Sequence, residues 1–442
     1  MLPHLKKFII LTHFNLKYHP VNVFRLQNWH SLFKFEQANL QTMRILNYFF
    51  FGAVLCLPFL HACKGQSKNE HKTKQKLIGG GCDGCELMYV GMPKLINAID
   101  TSAGWTEDGQ KLMITGLVLK LDGIIPAANV IIYYWQTNAK GYYSPKKEMA
   151  QKAIRHGQVR GWVKTDKNGK YTIYTIRPAA YPNRSEPAHI HISIKEPHIA
   201  NEYYIDDLVF DDDELLLAKQ KKKPSENRGG SGILRLLLKG KLQIAEHNII
   251  LGLNIPNYPT VTTIEKQSGL AVGEDQPSFI PYHAWGPDKG TRTCPVCKYG
   301  RYHGLVYYVG NFPNWNEIKQ WLTFLEQESS KRNKYLKAYF VYGNENGYQR
   351  EKREGELARI GEELNLKYLA LTFVPSMNDK ESDAYLNKIN PRVENTFIIY
   401  RYRTIIAKLI DLKPSVKNYD KLTTIFNTTK GDFFNLSAPV YH

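Results

Sequence analysis

The sequence predicts a multidomain protein: an antiparallel β-sandwich over residues 79–258, joined through 259–268 to an α/β domain over 269–442. Three observations predict it. At 442 residues the chain exceeds one ordinary domain and is long enough for two cores. From Lys111 to about Tyr258, short β-rich runs alternate with turn residues, and no long amphipathic helix interrupts them. After about Gly269, strand-like runs alternate with segments of helical periodicity.

Residues 1–42 read as an upstream extension, with Met43 as the expected start. "MRILNYFFFGAVLCLPFLHAC" (43–63) has a basic residue, an apolar core and then Leu60-His61-Ala62-Cys63. This is the order of a secretory signal, and its end resembles a bacterial lipoprotein signal with Cys63 as the lipid-modified residue. The apolar stretch is short for a membrane span of about 20 residues. If translation starts at Met1, the same segment is instead an internal anchor. On the lipoprotein reading the chain is expected to be exported and lipid-anchored to a bacterial membrane, on its periplasmic or cell-surface side. Residues 64–78 are polar and basic and read as a tether. The formal charge of +18 is spread along the chain, apart from "KQKKK" (219–223), and no basic stripe interleaves with aromatics. A solvated basic surface is expected, with no nucleic-acid partner.

Of the six cysteines, Cys56 and Cys63 lie in the signal; the others form two CxxC pairs, Cys82/Cys85 and Cys294/Cys297. One four-cysteine zinc site would need the pairs to meet across two domains, so local dithiols or disulfides are expected in an exported chain.

Within the first domain, "KLMITGLVLKL" precedes the turn Asp122-Gly123, and "ANVIIYYWQT" follows Pro126. "GWVKTDKNGKYTIYTI" carries Asn168-Gly169 between two β-rich runs, a hairpin signal. "EPAHIHISI" (186–194) alternates, so His189 and His191 share one face while Ile190, Ile192 and Ile194 share the other. Two adjacent imidazoles can chelate one metal ion; two exposed strand histidines are the plainer alternative.

The pieces "GLVLKLDGIIPAANVIIYYWQTNAKGYY", "TDKNGKYTIYTIRPAAYP" and "PAHIH" occur in an order that resembles the intradiol ring-cleavage dioxygenases, the protocatechuate 3,4-dioxygenase and catechol 1,2-dioxygenase family. The resemblance runs from about Gly116 to about Asp213. It implies a non-haem Fe(III) held by Tyr143, Tyr181, His189 and His191, with Tyr181 and His189 axial. The adjacent Tyr142 competes for the first tyrosine position. It further implies a small aromatic diol and O2 as substrates, with Tyr181 accepting a substrate proton and a muconate-type diacid as product. Hard Fe(III) suits anionic phenolate donors. The chain departs from the family where an arginine precedes the first histidine by three residues: Glu186 stands there, with Arg184 nearby. Asp206 and Asp207 stand where the family often has glutamine, and the loop from Tyr181 to His189 is short. Arg184 and Glu186 are therefore the expected substrate-selecting pair, with Glu186 disfavouring carboxylated catechols.

In the second domain, "GLVYYVG" (304–310), "LKAYFVYG" and "LKYLALTFV" read as strands, separated by the helices "NWNEIKQWLTFLEQE" and "REKREGELARIGEELN". "NTFIIYRYRTIIAKLIDL" then reads as a hairpin. The domain resembles thioredoxin-like or redoxin chains. Cys294 and Cys297 precede the strand rather than following it, and Thr396 stands where that family has a cis-proline. Two other functions fit parts of the pattern. One is a non-catalytic sandwich of the carboxypeptidase-regulatory or transthyretin-like kind, which needs no HxH with two placed tyrosines. The other is a thiol redox protein acting through the second domain. A red ferric-tyrosinate colour separates them from the dioxygenase.

Overall fold

The computed structural model describes residues 77–222, 225–259 and 267–430. The extension, the 43–63 signal with Cys63, nearly all of the tether and most of the linker lie outside them.

The first region contains β1 (Ile99–Thr101), β2 (Lys111–Leu119), β3 (Ile131–Gln136), β4 (Arg160–Lys164), β5 (Lys170–Ile176) and β6 (His189–Lys195). It continues with β7 (Tyr203–Tyr204), β8 (Leu208–Phe210), helix α1 (Glu214–Lys222), β9 (Ile233–Leu234), β10 (Leu236–Lys239), β11 (Leu242–Glu246) and β12 (Ile249–Ile250). One sheet runs β1-β5-β2-β11-β10, with β12 also on β2; the other runs β4-β3-β6-β8-β9, with β7 on β6. Leu112, Ile114 and Ile173 of the first sheet and Ile132, Tyr134, Ile190, Ile192 and Ile194 of the second interleave in one buried core. The alternation in "HIHISI" therefore sets the isoleucines inward and leaves His189 and His191 on the outer face of the second sheet.

Two expectations need correction. The sheets are mixed, not antiparallel: β1–β5, β2–β11, β2–β12 and β8–β9 are parallel pairs. Parallel neighbours require a long crossover, and residues 120–241, which separate β2 from its parallel neighbour β11, provide one. A helix also forms where none was expected, α1 in "ELLLAKQKK".

The second region contains β13 (Tyr282–Trp285), α2 (Pro295–Tyr299), β14 (His303–Val309), α3 (Trp315–Arg332), β15 (Leu336–Tyr342), α4 (Arg350–Glu363), β16 (Ala370–Phe373), β17 (Thr396–Arg401), β18 (Thr404–Ile410) and α5 (Val416–Thr428). These form one mixed sheet in the order β13-β16-β15-β14-β17-β18. Every strand and helix expected after Gly304 is present. α3 starts where the Asn314 side chain accepts the backbone N–H of Glu317, and its Ile318, Trp321, Leu322 and Leu325 are buried against the sheet. Cys294 caps α2 just before β14, and it is disulfide-bonded to Cys297. No described peptide bond is cis.

The three sheets belong to one compact unit. Arg401 at the end of β17 meets Glu246 of β11 at 2.6 Å, and Arg235 meets Asp275 at 2.5 Å. No described helix is long and apolar enough to cross a membrane.

Candidate metal centre

The outer face of β6 meets two loops. The first follows β3. Asn138 Oδ1 accepts the backbone N–H groups of Lys140 and Tyr142, curling residues 138–142 into a tight turn. Gly141 sits in that turn at φ +84°, where a Cβ would strike the carbonyl of Ala180. Thr137 Oγ1 donates to the carbonyl of Ala179, and the Ala179 N–H donates to that of Asn138. These bonds tie the 137–143 loop to the 178–181 segment and bring Tyr143 and Tyr181 together. Tyr142 is 57% exposed, whereas Tyr143 is the one of the two adjacent tyrosines that faces Tyr181 and His191.

Four donor atoms converge. His189 Nε2 lies 3.1 Å from Tyr181 Oη, Tyr181 Oη lies 3.0 Å from Tyr143 Oη, and Tyr143 Oη lies 2.9 Å from His191 Nε2. The far nitrogen of each imidazole is committed. His189 Nδ1 is 2.7 Å from the Pro187 carbonyl, and His191 Nδ1 is 2.7 Å from Asp207 Oδ1. A carbonyl and a carboxylate only accept, so both Nδ1 atoms carry hydrogen and both Nε2 atoms present lone pairs to the cluster. Tyr204 also donates to Asp207, at 2.5 Å. Burial pushes the Asp207 carboxyl up, but the hydrogen bonds from His191 and Tyr204, with the electrostatic pull of the two ring N–H groups beside it, outweigh it and bring it down to about 2.

The donor set tests whether a cation fits. Four acceptor atoms make three contacts but own only two protons, one on each hydroxyl, so with neutral rings one contact always pairs lone pair against lone pair. Protonating the cluster is unfavourable, since burial lowers the His189 pKa. Burial also raises that of Tyr143, helped by Tyr181 and Asp207. A cation that accepts all four lone pairs and ionises the phenols removes the deficit. Among the His, Cys, Asp and Glu of the described residues, one group of three or more could hold a metal ion, His189, His191 and Asp207, whose ligand atoms lie within 4.8 Å of one another. Asp207, however, is spent on the Nδ1 side of His191. The tyrosines complete the set better than the carboxylate does.

Arg184 and Glu186 do not join the cluster. Arg184 takes a left-handed φ of +51° and pairs with Glu214 at 2.5 Å, on the exposed rim. Glu186 pairs with Lys219 at 2.9 Å. The expected substrate-selecting pair is thus two separate ion pairs, because α1 supplies a partner to each.

A cavity of about 450 Å³ opens onto the cluster, walled by Tyr143, His191, Trp135, Tyr204, His156 and Cys82. In the sequence Trp135 serves only as a spacing mark for Tyr143, and no motif marks His156. Trp135 stacks on His191 with centroids 4.8 Å apart and on His156 at 4.2 Å, the latter with ring planes nearly parallel at 4°. Cys82 is disulfide-bonded to Cys85, which packs against Ser193 of β6. The pair thus holds the chain at the cavity wall. Cys297 is exposed and lines a separate cavity of about 500 Å³ with Arg235, Lys298 and Arg403, remote in sequence from the tyrosine–histidine cluster.

Residues 93–223 match the family model Dioxygenase_C, described as a dioxygenase. The chain is 35% identical over 92 residues to the protocatechuate 3,4-dioxygenase beta chain of Burkholderia cepacia, covering 20% of this chain and 39% of that one. It is 31% identical over 98 residues to catechol 1,2-dioxygenase of Acinetobacter baylyi, covering 22% and 30%. Among solved structures, 3-chlorocatechol 1,2-dioxygenase of Rhodococcus opacus 1CP aligns at 22% identity with a TM-score of 0.28, over 36% of this chain and 67% of that one. The match to the two curated relatives thus spans between about a third and two fifths of their length. The first sandwich of this chain carries intradiol dioxygenase-family homology at low identity.

Proposed function

We propose that the sandwich binds a non-haem ferric ion through Tyr143, Tyr181, His189 and His191 and cleaves catechol-type rings with O2. The observation that carries this reading is the cluster of four donor atoms one proton short of closing its own hydrogen bonds. When bound, the ion supplies Lewis acidity that favours the ionised diol and draws electron density from the ring. The remaining work falls to the chain. Pro187 and Asp207 hold both Nε2 atoms toward the centre, and Trp135 packs against the His191 ring. Two phenolates offset two of the three positive charges. Tyr181 Oη lies between Tyr143 and His189, and in this reading it takes one substrate proton as the diol enters. The ring C–C bond between the hydroxylated carbons breaks, both oxygen atoms enter the product, and a muconate-type diacid leaves.

The same reading places the chain outside the cytoplasm, anchored through Cys63. Its support is the 43–63 segment together with two disulfides in the described residues, which belong to oxidising compartments. The second region is read as a thioredoxin-like body on the β-α-β-α-β-β-β-α order from β14 to α5, which follows β13 and α2. Its CxxC lies before the first central strand, so a structural disulfide is the role assigned to it.

The test is a metal analysis with a visible spectrum on purified full-length protein. One iron per chain, a red tyrosinate band and catechol-dependent O2 uptake are expected. His189→Ala and His191→Ala should lose band and iron together. Full iron occupancy in the double variant sinks the proposal. For the anchor, Cys63→Ser should release the protein from bacterial membranes; unchanged partitioning would refute it.

A further inference from the structure

His156 is a buried histidine that the metal cluster does not use. It is 4% exposed, follows Arg155 in a short 3-10 turn, and lines the cavity that opens onto His191 and Tyr143. Its tautomer follows from its neighbours. Arg160 Nη1 lies 3.2 Å from Tyr133 Oη, and a guanidinium only donates, so the Tyr133 oxygen accepts there. Tyr133 is fully buried, so its proton has no solvent to go to and is placed on the contact with His156 Nδ1, 2.8 Å away. With Nδ1 accepting, the ring hydrogen sits on Nε2. Burial, with Arg155 next door, holds the His156 pKa down to about 3, so the ring stays neutral. No described residue accepts a hydrogen bond from Nε2. Gly84 lies close to that nitrogen, where a Cβ would come to 3.0 Å from it and to 2.8 Å from the Arg155 guanidinium, so a larger residue there would crowd Nε2. Parallel stacking on Trp135 fixes the ring plane. The result is a rigid, neutral, unspent N–H donor in the wall of the candidate substrate cavity.

We infer that His156 Nε2–H selects catechol rings bearing a neutral oxygen acceptor, such as a methoxy or carbonyl group, on the part of the ring remote from the two hydroxyls. The inference rests on the proposed ferric site for where the hydroxyls bind. His156 makes no hydrogen bond to Tyr143, Tyr181, His189 or His191, so it serves the remainder of the substrate. A neutral acceptor is preferred to a carboxylate for a reason of charge. The Arg155 guanidinium is already engaged by Asp83 at 3.2 Å and Glu86 at 3.4 Å, and Asp83 itself lines the cavity. A carboxylate would meet one uncharged donor and no uncompensated cation. The cavity of about 450 Å³ is within the 300–1,000 Å³ or so that takes ligands larger than a bare ring.

The test compares 4-methoxycatechol with 4-ethylcatechol, near-isosteres that differ in one acceptor oxygen. Dissociation constants are measured anaerobically by calorimetry and by the shift of the visible band, on iron-loaded full-length protein. Wild type should bind the methoxy compound about fivefold more tightly, the worth of one neutral hydrogen bond. His156→Phe, which keeps the stacking, should bring the ratio to one while iron is retained. His156→Gln should keep most of the ratio. Tyr133→Phe, which removes the proton that sets the tautomer, should reduce it. The last two variants decide the matter if the Phe replacement at 156 does not fold. A ratio that is the same in wild type, His156→Phe and Tyr133→Phe overturns the inference, as does tighter binding of protocatechuate than of the methoxy compound. A wild type that holds no iron and shows no band overturns the metal reading instead, so the two failures are distinct.

Discussion

At the scale of single residues, the donor atoms were legible in the sequence and their supports were not. Asp207 shows why. In "YYIDDLVF" the two aspartates look equivalent, but Asp206 turns to Ser225 and the backbone of Asn227, while Asp207 holds His191. Only the three-dimensional path just before β8 separates them. Asp207→Asn keeps an acceptor for His191 Nδ1–H but removes its charge. Ferric affinity, measured by competition with a chelator, should fall about tenfold with the fold intact; an unchanged affinity would show that the carboxylate does not support the metal. Glu186 shows the opposite error. Its position three residues before His189 suggested a charge aimed at substrate, but Lys219, on a helix the sequence reading did not contain, takes that charge. Glu186→Gln should therefore leave the ratio of kcat/KM for catechol and protocatechuate within about twofold, as for a solvent-accessible ion pair. A larger change would return Glu186 to the site.

At the scale of elements, β-rich runs bounded by turn residues marked β2, β3 and β5, and alternation marked the two faces of β6. Pairing direction was not legible, because it depends on where a long connection returns rather than on any local pattern. Close approaches between strands were hidden for the same reason. Gly161 of β4 pairs with Tyr134 of β3, whose buried hydroxyl donates to Asp100 at 2.6 Å. A Cβ at 161 would collide with both that hydroxyl and the carboxylate. The neighbouring residue on β3 is Trp135, so strain here reaches the cavity wall. Gly161→Ala should cost about 2 kcal/mol, the usual size of core overpacking, read as a lower urea midpoint at constant slope. A neutral substitution would mean that β3 and β4 have room that the glycine does not reveal.

At the scale of the whole molecule, stability against acid should depend on buried histidines outside the metal cluster. His247 is the best placed. It lies after β11 and donates from Nε2 to the Ser231 carbonyl at 3.0 Å. It also lines, with Glu246, Arg235 and Arg401, the junction between the sandwich and the second region. Burial lowers its pKa from 6.5 to about 4; the Ser231 bond and Asp275 pull it back up, and Arg235 opposes them. A depressed folded-state pKa means that the unfolded chain binds the proton first. Stability from this residue is therefore complete above pH 6.5 and is lost as pH falls toward 4. The shift corresponds to about 3 kcal/mol over that window. Protonation would also put a cation beside Arg235, next to the Arg235–Asp275 and Arg401–Glu246 bridges that join the two regions. Urea unfolding free energies should then fall between pH 6.5 and 4, with a slope that His247→Gln lessens by about one proton. If the variant and the wild type show the same slope, His247 is not the group that titrates, and the acid sensitivity of the junction must come from its carboxylates.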